Sequence, residues 1–235
     1  MTARAMWKGR VAFGDFEVPV KLYAAARDQR VRFRMLDAER RAPVSQKMVD
    51  PASGEPTDDV RRGLEVERGV YVLLTDEELA SLEPEADRAI DVVTFVAPEV
   101  VDPARHERPY YLGPDGEPER YGALAEALEA EGKTAIVRWA MRKRRYVGAL
   151  RAEAGVLRLS TLRRLGEVVS PRAIDAPEKK IDPKEAKLAG QLVEALEDDF
   201  DLSEYRQTYR DAVAELLQKK ARGETVGRPK EKASA

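Results

Sequence analysis

Apolar and polar residues alternate through much of the first 160 residues, whereas beyond residue 182 apolar residues recur at three- and four-residue spacing. The chain therefore reads as β-rich first and helical last. Val18-Pro19-Val20-Lys21-Leu22-Tyr23 alternates imperfectly around a proline, which suits an edge strand or a strand start. In a second run Val31, Phe33 and Met35 share one face and Arg32 and Arg34 the other. Asp50-Pro51-Ala52-Ser53-Gly54 is a turn. Gly69-Val70-Tyr71-Val72-Leu73-Leu74 is continuously apolar and predicts a short buried strand. Thr75-Asp76-Glu77-Glu78 has the spacing of a capping box, so a brief helix through Leu82 is expected. A strand is expected over residues 89–96, and Pro109-Tyr110-Tyr111-Leu112 leads into the turn Gly113-Pro114-Asp115-Gly116. Leu124 and Leu128 predict a helix over 121–131 that stops at Gly132.

The sharpest alternation lies in residues 134–142, where Val137, Trp139 and Met141 share one face and Arg138 and Arg142 the other. Lys143-Arg144-Arg145 sits at a bend. Strands are then expected over 146–151 and 156–160, broken at Glu153-Ala154-Gly155, with Leu157 and Leu159 opposing Arg158. Pro171 and Pro177 mark a connector. Asp182-Pro183-Lys184-Glu185 combines an N-cap residue, an N1 proline and an N3 glutamate, and opens a helix carrying Leu188, Leu192, Val193 and Leu196. A second helix is expected from Asp201 or Ser203 to about Ala221, ended by Gly223, its apolar stripe from Tyr205 to Leu217 serving intramolecular packing or, as the alternative, a groove for a partner protein. Residues 227–235 are expected to be disordered.

Composition narrows the chemistry. There is no cysteine, so disulfides, thiolate zinc sites and cysteine nucleophiles are excluded, and a reducing compartment fits. The single histidine, His106, falls on an expected loop and supports neither a triad nor a multi-histidine metal site. No apolar run approaches the ~20 residues of a membrane span. The net charge of −2 conceals a segregation. Residues 131–165 hold ten basic and two acidic residues, and residues 1–46 hold ten and five. Residues 47–130 hold eight basic and twenty-one acidic, and residues 166–235 thirteen and fifteen. Positive charge concentrated in one segment, with arginines on strands, suggests a shaped track for a phosphate backbone; the alternative is a basic surface paired with the acidic part of the chain.

Trp7-Lys8-Gly9 with Val18-Pro19-Val20-Lys21-Leu22-Tyr23 resembles the opening of the prokaryotic Ku core. Gly69 through Leu79, Pro109-Tyr110-Tyr111-Leu112 with Asp115-Gly116, Phe200-Asp201, and Tyr205 through Ala212 ending in Lys219-Lys220-Ala221-Arg222-Gly223 follow in the family's order. The resemblance runs from about Trp7 to Gly223. It implies a mixed β/α fold: a Ku-core-like β-barrel with an extended DNA-encircling arm and C-terminal helices. The expected division is a core over 1–180 including a basic arm at about 131–165, a helical region over 181–223, and a short tail over 224–235. It also implies a ring-shaped homodimer that threads double-stranded DNA ends, bridges breaks and recruits an ATP-dependent DNA ligase for non-homologous end joining. No catalysis, cofactor or metal is implied, and the setting is the cytoplasm, at the nucleoid. The stretch Pro43-Val44-Ser45-Gln46-Lys47 is less basic than in many relatives and keeps only Lys47 as a candidate.

The residues expected to contact phosphates are Arg138, Arg142, Lys143, Arg144, Arg145, Arg151 and Arg158. Arg163 and Arg164 follow at an uncertain strand end, then Lys8 and Lys21 within family motifs, beside Arg10, Arg32 and Arg34. An ordinary exposed surface role competes for each. Trp7 and Trp139 are expected in the core rather than stacked on bases. Two other classes compete. A magnesium-dependent nuclease or phosphotransferase would use pairs such as Asp58-Asp59 or Asp198-Asp199, but no Gly-x-x-x-x-Gly-Lys-Ser/Thr loop exists. A dimeric architectural or regulatory DNA-binding protein would bind without end selectivity.

Overall fold

The computed structural model describes residues 4–40, 42–85, 87–174, 182–205 and 208–223. The chain divides into two compact units, residues 1–28 with 44–173, and residues 29–43 with 174–235.

The first unit is built on a closed barrel. Its strands are β1 (Trp7–Phe13), β2 (Phe16–Ala24), β5 (Ala89–Val96), β6 (His106–Pro114), β7 (Thr134–Met141), β8 (Arg144–Glu153) and β9 (Val156–Leu162). The order around the wall is β1-β2-β6-β9-β8-β7-β5. All neighbours are antiparallel except β1 and β5, whose parallel pairing closes the barrel. Alternation puts Val11, Val18, Val20, Leu22, Ile90, Leu112, Val137, Leu150, Leu157 and Leu159 inside, all essentially inaccessible. Helix α2 (Pro118–Ala130) packs on the barrel with Tyr121, Leu124, Ala125 and Leu128 buried. The Tyr121 hydroxyl donates to the Leu112 carbonyl (2.5 Å) and accepts from the Leu157 amide (3.0 Å), so one side chain ties α2 to β6 and β9. Burial raises the pKa of this phenol. Trp139 is core as expected, at 3% exposure, stacked on Tyr146 and lying over Gly148. Trp7 is partly buried against the same core.

Between β2 and β5 the chain leaves the barrel. Within this excursion β3 (Arg62–Glu67) and β4 (Val70–Leu74) form a separate two-stranded sheet, followed by α1 (Asp76–Ser81). The Thr75 capping box forms as expected: its hydroxyl accepts from the Glu78 amide and Glu78 accepts from the Thr75 amide. The strand expected at Gly69 through Leu74 exists but is not buried. Tyr71 is 62% and Leu73 65% exposed, and Leu64 and Val66 on β3 are exposed as well, because β3 and β4 pair only with each other among the described residues.

Residues 131–165, expected as an arm, instead contribute β7, β8 and β9 to the barrel wall. The reason is pairing: β7 bonds to β5 and β9 to β6, so the segment has ladder partners on both flanks.

In the second unit, α3 (Pro183–Ala195) opens on Asp182, whose carboxylate accepts from the Lys184 amide. α4 runs over Thr208–Ala221, later than the expected start; residues 202–204 form a separate 3₁₀ turn capped by Asp201. The apolar stripe expected to pack internally buries only Val213 among its described members, with Tyr205, Tyr209 and Leu217 exposed. Residues 31–35 form no strand despite their alternation, and Phe33 and Met35 are exposed: among the described residues no strand pairs with them. Pro177 and residues 227–235 lie outside the described residues. No described helix is long and apolar enough to cross a membrane.

Candidate nucleic-acid interface

Eight of the ten basic residues of 131–165 occupy three settings on the barrel. The first is the turn joining β7 to β8. Arg142 and Lys143 both take positive φ, +50° and +66°, the signature of a two-residue type I′ hairpin. That conformation favours asparagine and glycine, and placing two long cations there costs about 1 kcal/mol or more per residue. The strain projects Arg142 and Lys143 from the end of the hairpin, with Arg144 and Arg145 opening β8 directly behind them. Lys143 reaches Glu83 at 2.9 Å, an exposed ion pair, and Arg164 donates to the Arg145 carbonyl at 3.5 Å. The tip thus gathers five of the expected cations, Arg142, Lys143, Arg144, Arg145 and Arg164.

The second setting is the outer face of β8 and β9, seven residues along β8 from Arg144, roughly 23 Å at the rise of an extended strand. Arg151 stands directly opposite Arg158. Arg158 pairs with Glu153 at 2.5 Å and lies 5.8 Å over the Tyr111 ring on β6. The third setting is Arg138, exposed on β7 and cross-strand from Asp91.

Other candidates are tied to structural partners. Lys8 and Lys21 face each other across β1 and β2 and both grip Asp115, at 3.0 and 2.7 Å. The hydrogen bonds from Lys21 and Lys8 hold the Asp115 carboxyl below its ordinary range, and Asp115 in turn raises the Lys21 pKa. Arg10 is held by Glu17 (2.8 Å) and Asp87 (3.4 Å), the Glu17 bond raising its pKa. Arg163 donates to the carbonyls of Ala104 (2.7 Å) and His106 (3.0 Å), which pins the end of β9 to the segment before β6. Lys47 is exposed in the excursion between β2 and β5. Arg32 and Arg34 lie in the second unit. His106 is not a loop residue: it begins β6, and its Nδ1 is 2.6 Å from the Ser160 hydroxyl.

The acidic pairs of the competing catalytic reading engage local partners. Asp59 pairs with Arg61 at 3.1 Å with both side chains exposed, and Asp198 accepts from the Asp199 amide. Among the described residues no group of three or more His, Asp or Glu side chains is placed to hold a metal.

Sequence reasoning missed the Asp115 clamp, the Arg158–Tyr111 stack and the strained turn. The first two join residues far apart in the chain and leave no local signal. The third had one, a two-residue gap between alternating runs, obscured because the gap holds arginine and lysine rather than asparagine and glycine.

A family model described as the Ku70/Ku80 beta-barrel domain matches residues 12–189. Curated relatives named non-homologous end joining protein Ku align with nearly the whole chain. Ku 2 of Geotalea uraniireducens is 36% identical across 96% of this chain and 89% of its own length. The Mycobacterium tuberculosis protein is 36% identical across 94% and 84%, and that of Symbiobacterium thermophilum 35% across 96% and 58%.

Proposed function

This chain belongs to the Ku family, and from that premise we propose that it binds the ends of broken double-stranded DNA, without reading sequence, as a homodimer that encircles the duplex. The observation that carries the reading is the cationic hairpin tip: four consecutive basic residues, two of them at positive φ in the turn itself. Lysine and arginine on phosphates release condensed counterions and supply affinity indifferent to base identity. Arg142, Lys143, Arg144, Arg145 and Arg164 form the principal contact, with Arg138, Arg151 and Arg158 along the outer wall and Lys47 on the excursion. Lys8, Lys21 and Arg163 contribute through the strands they hold.

The excursion between β2 and β5, rather than residues 131–165, is the arm of this proposal. Its hairpin exposes Leu64, Val66, Tyr71 and Leu73. An isolated two-stranded hairpin is marginal in water, so a second copy of the chain is its natural cover. The ring admits a duplex only over an end, which gives end selectivity with no contact to the end itself. Recruitment of an ATP-dependent DNA ligase and a place at the cytoplasmic nucleoid complete the reading. Binding of unrelated linear duplexes over a salt series tests it: affinities within about threefold of one another and a steep loss with salt are expected. A sequence preference above about tenfold would favour the regulatory alternative instead.

A further inference from the structure

The outer wall carries a cavity of about 390 Å³, within the range of small-molecule sites, where the segment before β6 folds over β6, β9 and β8. Its floor is Ala149 and Ser160, which face each other across β8 and β9; Pro98, Val101 and Pro109 supply apolar walls.

Its polar groups are unusual for a pocket with nothing to bind. Arg151 and Arg158 are direct cross-strand neighbours, a placement that repels. Arg158 has Glu153 for one Nη, yet its Nε is buried with no hydrogen-bond partner among the described residues. Arg151 has no carboxylate partner among the described residues, and its charge reaches His106, whose pKa is lowered first by burial and then by Arg151. One carboxylate, Glu107, lines the cavity, and it is engaged by Arg108 (3.8 Å) and the Thr161 hydroxyl (3.4 Å). The cavity is therefore lined by two guanidinium side chains and by the His106–Ser160 pair, with Glu107 as the one carboxylate in its lining. Guanidinium pairs suit a phosphoryl group, whose oxygens accept several N–H donors at once.

We propose that this cavity is a phosphate-binding subsite of nucleotide size, with the phosphoryl group between Arg151 and Arg158 and its attached ring against Tyr111, Pro98 and Val101. Two sources supply that chemistry: a free nucleoside monophosphate, and the 5′-phosphorylated nucleotide at a strand end.

Isothermal titration of the intact chain with AMP, ribose 5-phosphate and adenosine tests the shared chemistry. AMP and ribose 5-phosphate bind and adenosine does not. Arg151→Gln and Arg158→Lys, the latter keeping the charge but not the fork, each weaken AMP by about tenfold or more at an unchanged melting temperature. Wild-type protein that fails to bind AMP, or two folded variants that bind it undiminished, would overturn the proposal. Competition by AMP against duplexes ending in 5′-phosphate or 5′-hydroxyl separates the sources. Displacement confined to the phosphorylated end assigns the strand end, and no displacement of either assigns the free nucleotide. The titration contains no DNA, so its failure and the failure of end binding are distinguishable.

Discussion

Replacing Arg142 and Lys143 by asparagine and glycine should make the protein more stable and a poorer DNA binder at once. Both positions have positive φ. Asn-Gly is the pair that a type I′ turn accommodates without strain, so the exchange relieves about 2 kcal/mol at roughly 1 kcal/mol per residue. Against this stands the Lys143–Glu83 ion pair, with the lysine side chain 72% exposed, worth less than about 1 kcal/mol. The net gain is about 1 kcal/mol, or a rise of about 2–4 °C in Tm for a chain of this size. Each phosphate contact contributes about 0.9 to the slope of log affinity against log salt, so losing two per copy flattens it by about 2 for each copy bound. Affinity at moderate salt falls by roughly tenfold or more. Calorimetric melting and fluorescence anisotropy on a labelled linear duplex over a salt series read the two effects separately. A variant that melts lower, or that binds with an unchanged slope, would refute the idea that this turn bears strain in order to present cations to DNA.

Three further outcomes follow from packing and charge. Gly148→Ala should lower stability by about 1–3 kcal/mol in chemical denaturation, because an added Cβ meets the Ser160 carbonyl at 2.6 Å and the Trp139 ring at 2.7 Å. Tyr121→Phe should cost about 1–3 kcal/mol in the same assay by leaving the Leu112 carbonyl and Leu157 amide without their partner. Asp115→Asn should destabilise at neutral and mildly acidic pH but not in strong acid. The folded-state pKa of Asp115 is depressed, so its contribution is full above the ordinary carboxyl value of 3.8 and is lost as pH falls through the folded value; melting temperatures of the two proteins should converge there.

What the sequence disclosed was local, and what it concealed was pairing. The bounds of β5, the Thr75 capping box and the Asp182-Pro183 helix start rest on neighbouring residues and form as read. The run containing Val31, Phe33 and Met35 alternates as well as β7 does, yet only β7 has strands on both sides. The same ignorance of partners turned three wall strands into an expected arm and an exposed hairpin into an expected core strand. The site shows the same division. The excess of basic residues in 131–165 was plain in the composition, but a distant carboxylate, Asp115, decides that Lys8 and Lys21 are clamped, and the carbonyls of Ala104 and His106, at the start of β6, hold Arg163.

The central claim is a duplex threaded through a closed protein ring, and the most direct measurement compares one DNA sequence in three forms: linear, linear with bulky caps on both ends, and covalently closed. The account predicts binding to the open linear form alone, with salt-sensitive affinity. Equal binding to the closed or capped forms would contradict threading and leave an architectural protein that grips DNA from the side.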